Sequence, residues 1–173
     1  MKKIGLFYGP LGGSTEKVAK KVATALGNEN VDLIPVKNSK AINVEKYDNI
    51  IFGMSTIGKE TWESDKPAND WDVFLPEIEK INYSNKVIAM FGLGDQISYD
   101  LHFVDAMGIV GEKISQKGGL IVGHVSTDGY DFRESLAVKD GKFIGLPVNE
   151  DFEPELTDKR VNNWVKSIKP LFK

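Results

Sequence analysis

Short, nearly continuous apolar runs alternate along this chain with longer segments whose apolar positions recur every three or four residues. Ile4-Gly5-Leu6-Phe7-Tyr8 is the first run, and Asn49-Ile50-Ile51-Phe52-Gly53-Met54 and Lys86-Val87-Ile88-Ala89-Met90-Phe91 repeat its character. Runs of this length without polar alternation predict strands covered on both faces. Val31 to Val36 reads as a further short strand, with Pro35 suiting an edge or a strand end. Leu120-Ile121-Val122-Gly123-His124-Val125 is the fifth. Between the runs, Val18, Ala19, Val22, Ala23 and Leu26 share one helical face from Glu16 onward. Trp71, Phe74, Leu75 and Ile78 mark a helix capped by Asp70, with Trp71 in the core. A helix from about Leu101 runs through Phe103, Ala106, Ile109, Val110 and Ile114 to a Gly118-Gly119 stop. Val161, Trp164, Val165 and Ile168 mark the last helix, from Thr157.

Strands alternating with helices predict an α/β fold with a parallel sheet, right-handed crossovers and helices on both faces. Ligands of such sheets bind beyond the carboxyl ends of the strands. Three loop-like segments follow strands one, three and four: Gly9 to Thr15, Ser55 to Asn69, and Gly92 to Tyr99. If these strands are neighbours, all three loops meet at one edge. The first is glycine-rich and opens a helix, where unpaired N–H groups and the helix dipole favour an anion such as a phosphate. Ser14 or Thr15 can cap that helix and donate a hydroxyl. The same turn also suits a plain strand-to-helix connection. It is not a Walker motif, because no lysine precedes Ser14.

Length and composition narrow the choice. The chain has 173 residues, 41% of them hydrophobic, which predicts one domain with a single core. Its 22 basic and 25 acidic residues give a net charge of −3 and no basic tract, which argues against nucleic acid. There is no cysteine and there are two histidines, so thiolate and iron–sulfur chemistry are excluded and no metal cluster is recognisable. Redox chemistry on this chain therefore requires something bound. No run approaches the roughly 18 apolar residues of a membrane span, and the expected location is the cytoplasm, with no membrane contact.

Tyr99, in Phe91-Gly92-Leu93-Gly94-Asp95-Gln96-Ile97-Ser98-Tyr99, is either a half-buried surface ring or a phenol stacked on a flat ligand that the glycines let approach. With Ser126-Thr127-Asp128-Gly129-Tyr130-Asp131-Phe132 and Asp140-Gly141-Lys142-Phe143-Ile144-Gly145-Leu146, this stretch resembles the long-chain flavodoxins, and the resemblance runs from the first strand to the last helix. It implies a doubly wound three-layer fold with five parallel strands in the order 2-1-3-4-5, the last interrupted by an insertion and completed by Phe143 to Leu146. It also implies one non-covalently bound FMN that shuttles single electrons at low potential.

On that resemblance Gly9, Pro10, Leu11, Gly12, Gly13, Ser14 and Thr15 form the FMN phosphate loop. Tyr99 stacks on the isoalloxazine, and Gly92, Leu93, Gly94 and Asp95 line its pyrimidine side. Asp151 falls near the cofactor rim, though a plain surface charge is the simpler explanation for it. Ser55, Thr56, Ile57 and Gly58 form the opposite wall, with Gly58 the candidate for a peptide that turns its carbonyl toward flavin N5. Two departures stand out. The family's usual Thr-x-Thr-Gly-x-Thr loop is here Pro10-Leu11-Gly12-Gly13-Ser14-Thr15, lacking two hydroxyl donors and one N–H. Each donor lost to a charged group costs on the order of 1.5 to 3 kcal/mol. Ile57 stands where the family commonly has tryptophan, and Trp62 either folds back over the flavin or anchors its longer loop to the surface.

The resemblance implies a monomeric carrier rather than an enzyme. Its partners would be redox proteins: a flavodoxin or ferredoxin reductase, a pyruvate:ferredoxin-type oxidoreductase, or radical-enzyme activators. Glu60, Glu63, Asp65, Asp95, Asp100 and Asp151 would face their basic rims. Two other readings stay open at this stage: an FMN-dependent NAD(P)H quinone or small-molecule reductase, and a binding module of the same fold with weak FMN affinity.

Overall fold

The computed structural model describes residues 1–55 and 69–173. Its main sheet is parallel. β1 (Ile4–Tyr8) lies between β2 (Val31–Pro35) and β3 (Asn49–Met54), and β4 (Val87–Leu93) lies beyond β3. Two separate segments share the fifth position. β5 (Leu120–Val122) pairs with Val87 to Ala89, and β9 (Leu146–Val148) pairs with Phe91 to Leu93. The order is therefore 2-1-3-4-5 with an interrupted last strand.

Alternate residues of the strands point to opposite layers, as the two-residue period requires. Phe7, Ile50, Phe52, Ile88 and Met90 pack with α3 (Asp70–Ile78) and α4 (Asp105–Gln116) through Trp71, Phe74, Met107 and Val110. Ile4, Leu6, Ile51, Ala89 and Phe91 pack on the other side against α1 (Ser14–Leu26) and α5 (Pro154–Ile168), through Val18, Val22, Leu26, Val161 and Trp164. A short helix, α2 (Ala41–Glu45), precedes β3. Trp71 is fully buried, as its helical spacing predicts.

Several boundaries differ from the sequence reading for identifiable reasons. Gly13, in extended conformation, is the N-cap of α1 and makes no side-chain cap bond, so Ser14 and Thr15 are its first helical residues and not caps. Asn69 caps α3, its side chain accepting from the N–H groups of Trp71 and Asp72 at 2.9 and 3.1 Å. Asp70 is thereby freed for another contact. α4 begins at Asp105, because the preceding residues are bonded elsewhere, and α5 begins at Pro154, whose fixed φ suits a first turn.

The largest difference lies in the fifth strand. It stops at Val122, and β6 (Val125–Ser126), β7 (Val138–Lys139) and β8 (Lys142–Phe143) form a small antiparallel sheet. Phe143 belongs to that sheet, packed against Tyr130 and Phe132 at centroid distances of 5.2 and 5.0 Å. The parallel strand is completed by Leu146–Val148 and not by Phe143 to Leu146. Burial of Phe143 against aromatic neighbours outweighs its possible place in the larger ladder. Among the described residues no helix is long and apolar enough to cross a membrane.

Candidate functional site

Strands β1, β3 and β4 end level with one another. Tyr8 is in register with Gly53, and Met54 with Gly92, so the chain leaves all three strands at one edge. The carbonyl of Gly53 ties two of these exits together. It accepts from the Gly9 N–H at 3.1 Å and from the Trp71 indole N–H at 3.0 Å. A side-chain carbon at Gly9 would lie 2.6 Å from Val36 Cγ2 and 3.3 Å from both Asp70 Cβ and Trp71 Cδ1, so glycine is what allows α3 to start so close to the turn.

That closeness decides what happens in the turn itself. The Leu11 N–H donates to Asp70 Oδ2 at 3.0 Å, and the Gly12 N–H donates to Glu16 Oε2 at 2.8 Å. Lys20 sits 2.6 Å from the other Glu16 oxygen. This Lys20 contact first, and the Gly12 N–H second, hold the Glu16 carboxyl below its ordinary range. Gly12 has φ of +85°, a backbone region glycine occupies freely. Side-chain carbons placed on Gly12 or Gly13 would meet nothing within 4 Å, so the space over the turn is open. The first-turn N–H groups of Ser14 and Thr15 have no intrahelical partner by geometry. Open space beside amides at a helix start fits a phosphate group.

The loop after β4 is built differently. Asp95 Oδ1 accepts from the N–H groups of Ile97 and Ser98, both at 2.8 Å. Burial pushes this carboxyl up, but the Ser98 hydroxyl and N–H and the Ile97 N–H outweigh that and hold it below its ordinary range. Tyr99 is 51% exposed, with its ring available to a ligand or to solvent. Gly92 and Leu93 belong to β4 itself. Both Gly92 and Gly94 are also required by packing. An added carbon on Gly94 would lie 3.0 Å from Val104 Cγ1 and 3.1 Å from Phe103, and one on Gly92 would lie 3.3 Å from Met107 Cβ. Val104 has φ of +51°, strained for a β-branched residue, and Gly94 makes the room it needs.

The insertion clasps this loop along its length. The carbonyl of Asp100 accepts from the N–H groups of Arg133 and Glu134 at 2.8 and 2.9 Å, and the Arg133 guanidinium grips the Asp100 carboxylate with two nitrogens. Gln96 Oε1 accepts from the Asp131 N–H at 3.3 Å. Ser135 Oγ donates to the Phe103 carbonyl at 2.5 Å, and Asp105 Oδ1 accepts from the Leu136 N–H at 2.7 Å. Phe103 stands among Tyr130, Phe132 and Phe143 at 5.9, 5.6 and 5.9 Å. The Tyr130 hydroxyl donates to Pro147 O at 2.9 Å; its pKa is pushed up to about 12 by burial, against Arg160 and with Glu153. Asp100 is thus paired with Arg133.

Gly9 to Thr15, Ser55, and Gly92 to Tyr99 are brought to one edge, and Asp151 joins them because β9 ends beside β4, Val148 opposite Leu93. Asp151 is exposed there. Thr56, Ile57, Gly58 and Trp62, with Glu60, Glu63 and Asp65, lie outside the described residues. Glu16 and Asp70 were missed as parts of the turn. Glu16 stands four residues after Gly12, a spacing that signals the contact in hindsight, whereas Asp70 is 59 residues from Leu11 and gives no local sign. Exposed Leu11, Ile97, Tyr99 and Phe152 add an apolar rim to the same edge. Among the described residues no group of acids and histidines could hold a metal ion.

Comparison with known proteins agrees with this architecture. The flavodoxin family model matches residues 6–164. The chain is 43% identical to a flavodoxin of Nostoc sp. over 171 residues, which cover 99% of this chain and 98% of that one. It is 44% identical to a flavodoxin of Synechocystis sp. over 172 residues, again with 99% and 98% covered. Among solved structures, a Fusobacterium nucleatum flavodoxin bound to flavin mononucleotide superimposes with a TM-score of 0.88 at 32% identity, and all of both chains is covered. With a matching family model, a closely superimposing fold and relatives aligned from end to end, this chain belongs to the flavodoxin family.

Proposed function

We propose that this protein is a one-electron carrier working through one non-covalently bound FMN, and that it is not an enzyme. The observation that carries this reading is the meeting of the open glycine turn and the Tyr99 loop at a single sheet edge, in a chain whose flavodoxin relatives align over nearly its whole length. Bound FMN supplies a centre that takes up and releases electrons one at a time.

The chain's own residues do the rest. The amides of Gly13, Ser14 and Thr15 and the hydroxyls of Ser14 and Thr15 hold the phosphate. Tyr99 covers one ring face and, with Leu93, excludes water from it. The Asp95 carboxylate would disfavour negative charge on the ring system, which would make the cofactor a stronger donor. Ser55, just after β3, contributes to the other wall, and Asp151 lies near the rim. No nucleophile or general base is required.

The partners are redox proteins, of the flavodoxin or ferredoxin reductase, pyruvate:ferredoxin oxidoreductase and radical-enzyme activator kinds, met in brief encounters over a small interface by a monomer. Exposed Leu11, Ile97 and Tyr99 provide the apolar centre of that interface. The chain works as a single domain in the cytoplasm.

Titrating the ligand-free protein with FMN tests the reading. The expected result is quenching of flavin fluorescence at one equivalent and a yellow protein that photoreduces in two resolvable one-electron stages. A protein that stays colourless in excess FMN would overturn it.

A further inference from the structure

We propose that Glu16 and Asp70 make this phosphate loop a weak discriminator between FMN and riboflavin, by holding the two amides of Gly12 and Leu11 that a phosphate group would otherwise take. The inference rests on the FMN reading of the same edge and concerns how the phosphate end of that ligand is recognised.

An amide N–H has one hydrogen to give. In this turn the Gly9 N–H is given to Gly53, the Leu11 N–H to Asp70 and the Gly12 N–H to Glu16, and Pro10 has none. Pro10 and Gly12 also carry no hydroxyl. The donors left are the amides of Gly13, Ser14 and Thr15 and two hydroxyls, that of Thr15 being on a residue only 2% exposed.

The charges act in the same direction. A phosphate group over the turn lies beside two carboxylates whose oxygens sit within 3.0 Å of loop nitrogens. The cation nearest to Glu16 is already spent on it, Lys20 Nζ being 2.6 Å from Oε1. Withdrawing a carboxylate to free its amide leaves that carboxylate to repel the incoming dianion. Repulsion from these two carboxylates offsets most of what the five remaining donors give, so the phosphate adds far less binding than a full donor set would, and the larger part of the affinity rests on the ring system, which riboflavin shares.

The test is a pair of titrations of the ligand-free protein, one with FMN and one with riboflavin, read by flavin fluorescence. A hydrogen bond to a charged group is worth roughly 10- to 150-fold in affinity, so a loop with its full donor set separates the two ligands by several such factors. Here the dissociation constants are expected to differ by less than about 100-fold. Glu16→Ala, which frees the Gly12 N–H and removes a negative charge, should widen the ratio by about tenfold. Glu16→Gln, which keeps the bulk and removes only the charge, should widen it by less. A wild-type ratio above about 100, or a ratio that neither substitution widens, overturns this inference while leaving the FMN reading intact. Failure of both flavins to bind defeats the FMN reading itself.

Discussion

The turn after β1 and the loop after β4 leave the sheet at the same edge, yet they are held by different means. The turn is fastened at three points, by the Gly53 carbonyl of β3, by Asp70 from α3 and by Glu16 from the first turn of α1. The space around Gly12 and Gly13 is otherwise open. The β4 loop carries Asp95 as an internal brace and is clasped from outside by Asp131, Arg133, Glu134, Ser135 and Leu136 of the insertion. Its far end is packed into an aromatic cluster. A loop whose side chain must present one face to a planar ligand gains from rigid support. A turn that needs only to offer amides does not require it.

Three measurements sharpen or break this contrast, beginning with the largest effect. Gly108 lies where α4 meets the insertion, and a side-chain carbon there would sit 2.3 Å from the Leu136 carbonyl carbon. Gly108→Val should cost about 2 kcal/mol or more by overpacking, read as a lowered urea midpoint. Hydrogen exchange should then quicken across residues 95–104 while residues 9–15 keep their protection. Equal loosening of both segments would mean that the insertion supports the whole edge.

Next in size, Tyr99→Ala removes an exposed ring that the braced loop holds in place. FMN affinity should fall by about tenfold, the worth of a good aromatic contact. An unchanged dissociation constant would show that the support serves folding alone.

The smallest effect is on acidification. Asp95 has its folded pKa depressed below the unfolded value of about 3.9, so its bracing is complete above that value and is lost as pH falls through the lower folded one. The exchange protection of Ile97 and Ser98 should therefore weaken below about pH 4. Asp95→Asn should abolish that dependence, and its persistence would assign it to another carboxyl.

Much of this was legible in the residues. β1 and β3 begin and end where their apolar runs do, because strands buried on both faces admit no polar residue until they leave the sheet. The helical faces of α1 and α5 agree for the same reason, burial enforcing the 3.6-residue period. The cap of α3 missed by one residue, since Asn69 and Asp70 are both good capping residues and only the backbone geometry chooses between them. The fifth strand was harder. Phe143 and Leu146 are both apolar enough for a buried strand, and what separates them is the presence of Phe103, Tyr130 and Phe132 around Phe143.

By itself the sequence determined the alternation of strands and helices and the loss of donors from the glycine turn, because each follows from local periodicity or from the chemistry of single residues. Only the tertiary structure decided that Asp70 reaches Leu11, that the insertion clasps the Tyr99 loop, and that Gly94 makes room for Val104. These are contacts between segments far apart in the chain. They depend on how closely packed layers bring backbones together, and no local pattern encodes that distance.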